Sequence, residues 1–235
     1  YHPERRIYEI YAEGGGNAFG VEVDSRGRVY SGHNGGDTRG FHYIQGAYYR
    51  KSWGKHGALT NAHAYGYFPA MKNVAVERFT HQFIIYEGAT LPERYQGKLW
   101  GVDVLHNNVV MSEIFANGST FQTRDIERVV QGADSWFRPV MIAPAPDGSL
   151  YIADWHDLQV NHYRNHEGDI DHEKGRIYRV RPKGERFTKA VDIAGMPTAE
   201  LIAKLDDRSR WLRRMALLEL RRRVPVDQAV RALIA

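Results

Sequence analysis

Cysteine is absent from the 235 residues. That excludes a disulfide scaffold, a zinc-thiolate or iron–sulfur site and a covalently attached c-type haem within this stretch, because each needs thiols. Long apolar runs are missing too, and none approaches the roughly 20 residues of a membrane-spanning helix. Tyr1-His2-Pro3-Glu4-Arg5-Arg6 leads into no apolar core, so no signal peptide is visible, and the first residue is not Met. The chain is therefore expected to be a piece of a longer protein. An excess of one charge is also lacking, since 32 Lys and Arg face 28 Asp and Glu. The basic residues that crowd one end, from Arg208 to Arg231, have only Trp211 for an aromatic companion. A nucleic-acid surface needs base-stacking rings among its cations, so a solvated or domain-docking helix face is expected there and no nucleic-acid partner.

What the chain does have is glycine and aromatics: 23 Gly, 14 Tyr, 9 Phe and 5 Trp, in a composition 43% hydrophobic and 26% charged that fits a globular domain. From Tyr1 to about Arg181 glycine punctuates segments of period two. From about Pro197 glycine disappears and the period becomes helical, which places a linker at 182–197. Thr198 is expected to cap a helix bearing Leu201, Ile202 and Leu205, and Ser209 a second bearing Leu212, Met215, Ala216, Leu217 and Leu220. A third helix is expected to start at Val226-Asp227-Gln228. Short amphipathic helices with tight turns resemble the opening of a HEAT-type array, so 198–235 reads as its beginning. The alternative is a helical cap on the first domain.

One phrase recurs in the glycine-rich part: glycine, any residue, aliphatic, aromatic. It stands at Gly27-Arg28-Val29-Tyr30, Gly97-Lys98-Leu99-Trp100, Gly148-Ser149-Leu150-Tyr151 and Gly175-Arg176-Ile177-Tyr178. Each copy predicts a strand entered from a tight turn, in which glycine supplies a positive φ. Repeated hairpins with Asp-Gly turns predict β-propeller blades. The expected fold is mainly β: a partial, six-bladed type β-propeller over 1–181, followed by the short α-helical HEAT-like segment.

The order of these phrases resembles the second half of the propeller in glucose/sorbosone dehydrogenase-like quinoproteins. It is similar above all to multidomain "membrane-bound dehydrogenase" proteins that carry HEAT-like repeats and a cytochrome c domain. The resemblance rests on Asn17-Ala18-Phe19-Gly20-Val21, Gly32-His33-Asn34-Gly35-Gly36-Asp37, Tyr65-Gly66-Tyr67-Phe68, Tyr86-Glu87-Gly88 through Leu99-Trp100, and Phe137-Arg138-Pro139-Val140 through Tyr151. It implies oxidation of a sugar or polyol, pyrroloquinoline quinone and Ca2+ as cofactors, and a periplasmic or otherwise extracytoplasmic location. It also implies electron transfer to a cytochrome c domain, whose haem c lies outside this chain. A catalytic base is expected upstream of Tyr1. The chain departs from the pattern at Gly16 and Trp136, where quinone-binding relatives carry arginine.

Carried over residue by residue, the resemblance makes Asn17, His33, Asp37, His106 and Arg138 candidates to hold the cofactor. Arg50, Lys51, Trp53, His56, Trp136 and His156 are candidates for substrate. The aromatic and basic stretch from His42 to His56 can hold a sugar ring or simply pack a loop. His33, Asp103 and Asp154 each fall six residues after the glycine of their phrase, so they are expected at equivalent strand ends. Asp103, Asp154 and Asp157 are the candidate metal ligands, although an Asp just after a strand more often caps a turn. The polar run Asn161 to His172 offers further oxygen and imidazole donors without an EF-hand pattern. Two other functions remain open: a cofactor-free carbohydrate-binding or assembly module, and a Ca2+-dependent lactonase-like propeller built on Asp103, Asp154 and His106.

Overall fold

The computed structural model of the chain describes residues 1–50, 66–73, 76–77, 80–158, 160, 171, 173–184 and 191–223. It is mainly β with a few short helices. Strands β1 (Ala18–Val23), β2 (Val29–His33) and β3 (Phe41–Tyr43) form an antiparallel meander. Strands β4 (Tyr48–Tyr49) and β5 (Tyr67–Phe68) make a short parallel pair. A four-stranded antiparallel sheet follows in simple order: β6 (Phe83–Ile85), β7 (Leu99–Asp103), β8 (Asn108–Asn117) and β9 (Thr120–Gln131). The last sheet is β10 (Pro139–Pro144), β11 (Leu150–Asp154) and β12 (Arg176–Val180).

All four glycine phrases open strands, namely β2, β7, β11 and β12; Gly27, Gly97 and Gly148 take the expected positive φ and Gly175 does not. The turn at Gly27 shows why. Gly27 sits at φ 76° and donates its N–H to Asp24 O at 3.1 Å. The Asp24 carboxylate accepts from Arg26 N and Arg28 N, both at 2.9 Å, so side chain and glycine together close the turn locally. The longest hairpin turns at Gly118-Ser119, with Asn117 paired to Thr120. That two-residue turn has Gly118 at its first central position, φ 60°, where a tight hairpin loop of the Gly-X kind needs it.

The chain divides into two compact units. The first comprises Tyr1–Ile85, Gly97–Ile142 and Ile152–Ile177. Its main core is Tyr30, Met71, Phe83, Ile85 and Leu99, with Phe121 and Ile114 against it, and a second cluster gathers Phe41, Ala47 and Tyr49. Tyr49 is almost wholly buried, its hydroxyl donating to His42 O at 2.6 Å and accepting from Ile44 N at 2.9 Å. So the described part of the aromatic stretch does pack its own loop.

The second unit comprises Tyr86–Gln96, Ala143–Tyr151 and Tyr178–Ala235. In it Leu201, Ala216 and Leu220 form a small core with Ile193, Met196 and Leu205. Helix α1 (Thr198–Ala203) begins after Pro197, so Thr198 is its first residue and not the expected cap. The pyrrolidine ring already fixes the entry dihedral, and no side-chain cap is used. Ser209 does cap α2 (Arg210–Arg223), its hydroxyl accepting from Leu212 N at 3.4 Å. Leu217, expected on the apolar face, is 56% exposed, because the buried stripe runs through Ala216 and Leu220. Arg210 is buried; its backbone N–H meets Glu87 O at 2.8 Å, and its guanidinium shares the Glu87 carboxylate with Arg213. At least part of the basic end therefore holds this unit together. The expected third helix lies outside the described residues.

Candidate functional site

The three equivalent positions behave alike. His33 ends β2, Asp103 ends β7 and Asp154 ends β11, and all three are buried. They do not share one set of partners, however. The expected site residues separate into a cleft at His33, a turn at Asp103 and a turn at Asp154.

The cleft has a volume of about 460 Å³, and its walls include His33, Asp37, Phe41, Arg50, Tyr67 and Lys72. Local chain reversals build it. Asp37 has φ 61°, Thr38 Oγ donates to Gly40 O at 2.8 Å, and Met71 N meets Gly40 O at 2.9 Å. The parallel register Tyr48↔Tyr67 brings the 67–72 segment alongside. His33 Nδ1 bonds Gly16 O at 2.5 Å. Burial pushes the His33 imidazole below the usual histidine range, and the bond to Gly16 only partly restores it. The ring is therefore neutral at pH 7. Arg50 lays its guanidinium over Tyr67, 5.3 Å from the ring centre. Arg50 and Lys72 make no ion pair among the described residues, while Asp37 contributes one exposed carboxylate. Two such cations beside aromatic faces suit a planar anionic ligand.

A tetrad of polar groups braces this region. The buried Arg39 guanidinium grips Asp125, with Nε to Oδ1 at 3.1 Å and Nη2 to Oδ2 at 2.5 Å. Ser112 Oγ at 2.7 Å and Asn73 Nδ2 at 3.1 Å donate to the same carboxylate. Burial pushes the Asp125 carboxyl up, but the guanidinium, Ser112 and Asn73 outweigh it and hold it below the usual range.

At the end of β7, Asp103 accepts from Leu105 N at 3.2 Å and His106 N at 3.1 Å, the expected turn cap. Its carboxylate also meets His106 Nδ1 at 2.9 and 3.0 Å. Burial raises the Asp103 pKa, and the His106 contacts act against that rise. A buried carboxylate thus orients a half-exposed imidazole.

At the end of β11, Asp154 Oδ1 accepts from Arg138 N at 2.7 Å and His156 N at 2.8 Å. Arg138 is buried, and its guanidinium donates to Asp157 O at 2.9 Å and to Leu158 O and Asn107 Oδ1. His156 has φ 55°, lies 5.5 Å from the Trp136 ring and bonds the Arg176 guanidinium. One oxygen each of Asp154 and Asp157 is buried without a hydrogen-bond partner. Among the described residues, Asp154 and Asp157 do not join Asp103 in one metal-ligating group.

Of the expected site residues, the cleft therefore gathers His33, Asp37 and Arg50. Asn17 is an exposed residue at φ 48° just before β1, and His106, Arg138, Trp136 and His156 do not line the cleft. Lys51, Trp53 and His56, with most of the Asn161–His172 run, lie outside the described residues. Sequence reasoning missed Phe41, Lys72 and the Arg39–Asp125 brace. The only local signal for Lys72 was its position just after the Tyr67-Phe68 phrase.

Meander sheets entered through glycine turns, with a cationic and aromatic cleft beside one of them, define the class as a mainly β protein with a ligand-sized cleft. The chain matches the family described as "Domain of unknown function (DUF7133)" over residues 1–184, and it belongs to that family. Among solved structures it is similar to a protein described as an oxidoreductase (glucose dehydrogenase) from Thermus thermophilus, at 15% identity and TM-score 0.49, over 73% of this chain and 46% of that one. It is also similar to the PQQ-bound form of aldose sugar dehydrogenase from Streptomyces coelicolor, at 16% identity and TM-score 0.46, over 73% and 45%. A third is the apo-form of the soluble aldose sugar dehydrogenase from Escherichia coli, at 18% identity and TM-score 0.46, over 62% and 44%. The chain spans about half the length of these structures. No curated protein matches it.

Proposed function

We propose that the chain is part of a dehydrogenase-like β-propeller that oxidises a sugar or polyol with a bound quinone, in an extracytoplasmic setting. In this reading 1–181 supplies blades, 182–197 a linker and 198–235 the start of a HEAT-like array, with electrons leaving to a haem domain outside the chain. The observation that carries it is the cleft, where Arg50 and Lys72, without an ion pair among the described residues, stand beside Tyr67, Phe41 and a neutral His33. The residues fit a flat polycarboxylate: two cations for its acid groups, aromatic faces for its rings, and a volume within the roughly 300–1,000 Å³ of small-molecule sites.

When bound, the quinone supplies a two-electron acceptor for an alcohol carbon. This chain's own residues would hold and orient it, the base being expected upstream of Tyr1. Arg50 and Lys72 bind carboxylates, Tyr67 and Phe41 limit water at the ring faces, and His33, fixed through Nδ1 by Gly16 O, presents Nε2 as a polar contact. Reconstituting the full-length protein with pyrroloquinoline quinone and Ca2+ is expected to give saturable quinone binding and dye reduction with aldoses. Sugar binding without any quinone binding would instead favour the carbohydrate-binding module, in keeping with Gly16 and Trp136 at the positions where arginine is expected. Ca2+-dependent hydrolysis of a sugar lactone would favour the lactonase-like alternative.

A further inference from the structure

We propose that the turn at Asp103 and His106, together with Glu77, is a site for a borderline divalent cation of the Zn2+ type, separate from the cleft and independent of the quinone reading. Donor atoms of Glu77, Asp103 and His106 all lie within 4.8 Å of one another. His106 Nδ1 is 2.9 Å from Asp103 Oδ2 and 3.9 Å from Glu77 Oε2. Nitrogen and carboxylate donors at roughly 2.0–2.2 Å in a tetrahedron around zinc stand roughly 3.4 Å apart. The two spacings bracket that edge and the Glu77–Asp103 edge is at most 4.8 Å, so a cation is accommodated by shifts of up to about 1.4 Å, within reach of an exposed glutamate on a flexible stem. Asp103 needs no movement, because the N–H groups of Leu105 and His106 hold it at the end of β7.

The rival partner of Glu77 is Arg128, at 2.9 Å, but the pair is exposed at 46% and 55%. Such a surface pair stabilises by about 1 kcal/mol at most, so it competes weakly with a bound ion. A second observation points to the same place. Asn108 is fully buried, and its Oδ1 has no hydrogen-bond partner among the described residues. It stands opposite Asp103 in the β7–β8 register, so both side chains leave the same face of the sheet. Its Nδ2 donates to His106 O at 2.8 Å, which keeps the amide beside the turn. An unmet buried acceptor costs about 1–3 kcal/mol, and water on a bound cation would donate to it. One imidazole among three protein donors disfavours Ca2+, which takes six or more oxygens, and suits Zn2+ with an open position for water.

Binding places the cation on His106 Nδ1, and the ring's proton then sits on Nε2. The test is calorimetric titration of chelator-stripped, tag-free full-length protein with ZnCl2 in two buffers of different ionisation enthalpy. One Zn2+ per chain is expected, and excess Ca2+ should not displace it. His106→Ala should weaken binding by at least the roughly 100-fold that even a supporting residue can cost. Because that change also deprives Asp103 of a partner, Glu77→Gln, on an exposed side chain, serves as a second variant and should weaken binding at least about 10-fold. No stoichiometric binding, binding unchanged in either variant, or equal competition by Ca2+ would overturn the proposal.

Discussion

Arg39→Ala is expected to destabilise the full-length protein by about 3 kcal/mol, the low end for breaking a buried ion pair. Arg39 is 3% exposed and Asp125 has a side chain 27% exposed, so the carboxylate left behind is poorly hydrated. It would keep Ser112 and Asn73 as donors but lose its cation. The same pair makes stability depend on pH. A carboxylate held below its unfolded pKa of about 3.9 contributes stability that is complete above that value and is lost as pH falls through the lower folded value. Acid denaturation of the wild type should therefore shift to higher pH in Arg39→Ala. Urea titration at pH 7 and an acid titration together check this. A loss below about 1 kcal/mol, the range of surface pairs, would show that the brace does little.

Arg138→Ala is expected to cost a similar amount, about 3 kcal/mol for hydrogen bonds lost from a charged group, without changing ligand affinity at the His33 cleft. Three guanidinium bonds, to Asp157 O, Leu158 O and Asn107 Oδ1, tie the segment after β11 to the turn before β8. Burial lowers the Arg138 pKa and the nearby Asp157 and Asp154 act against that fall, so its removal costs those two buried groups a neighbouring positive charge as well as the three bonds. Thermal unfolding and ligand titration on the same variant separate the roles. A stable variant with weakened quinone binding would return Arg138 to the cofactor site that the sequence resemblance implies.

These variants also mark how far the sequence could be read. The strands β2, β7, β11 and β12 were legible because a glycine turn is local chemistry: Asp24 and Gly27 close their turn within four residues. The Gly118-Ser119 hairpin is equally local, with Gly118 at positive φ between paired Asn117 and Thr120. The Asp103 cap on its own turn was also foreseeable. What escaped was non-local. Arg39 and Asp125 are 86 residues apart in the chain. Lys72 reaches the cleft through the parallel pairing of β4 with β5 and through long-range bonds such as Thr123 N to Lys72 O, for which the local sequence carries no pattern. The expected single site dispersed for the same reason. Equivalent positions on successive hairpins share a strand end, but each has its own partners: Gly16 O for His33, the following turn for Asp103, and Arg138 N with His156 N for Asp154.

The central claim is that the cleft holds a planar polyanion through Arg50 and Lys72. Its most direct test is equilibrium titration of the full-length protein with pyrroloquinoline quinone, followed by the quinone absorbance, for the wild type and for Arg50→Ala. Hydrogen bonds to charged groups contribute roughly 1.5–3 kcal/mol, so the variant should bind about 10- to 100-fold more weakly, with its unfolding transition unchanged because Arg50 is exposed. Equal affinity in the two proteins, or no saturable binding to either, would contradict it.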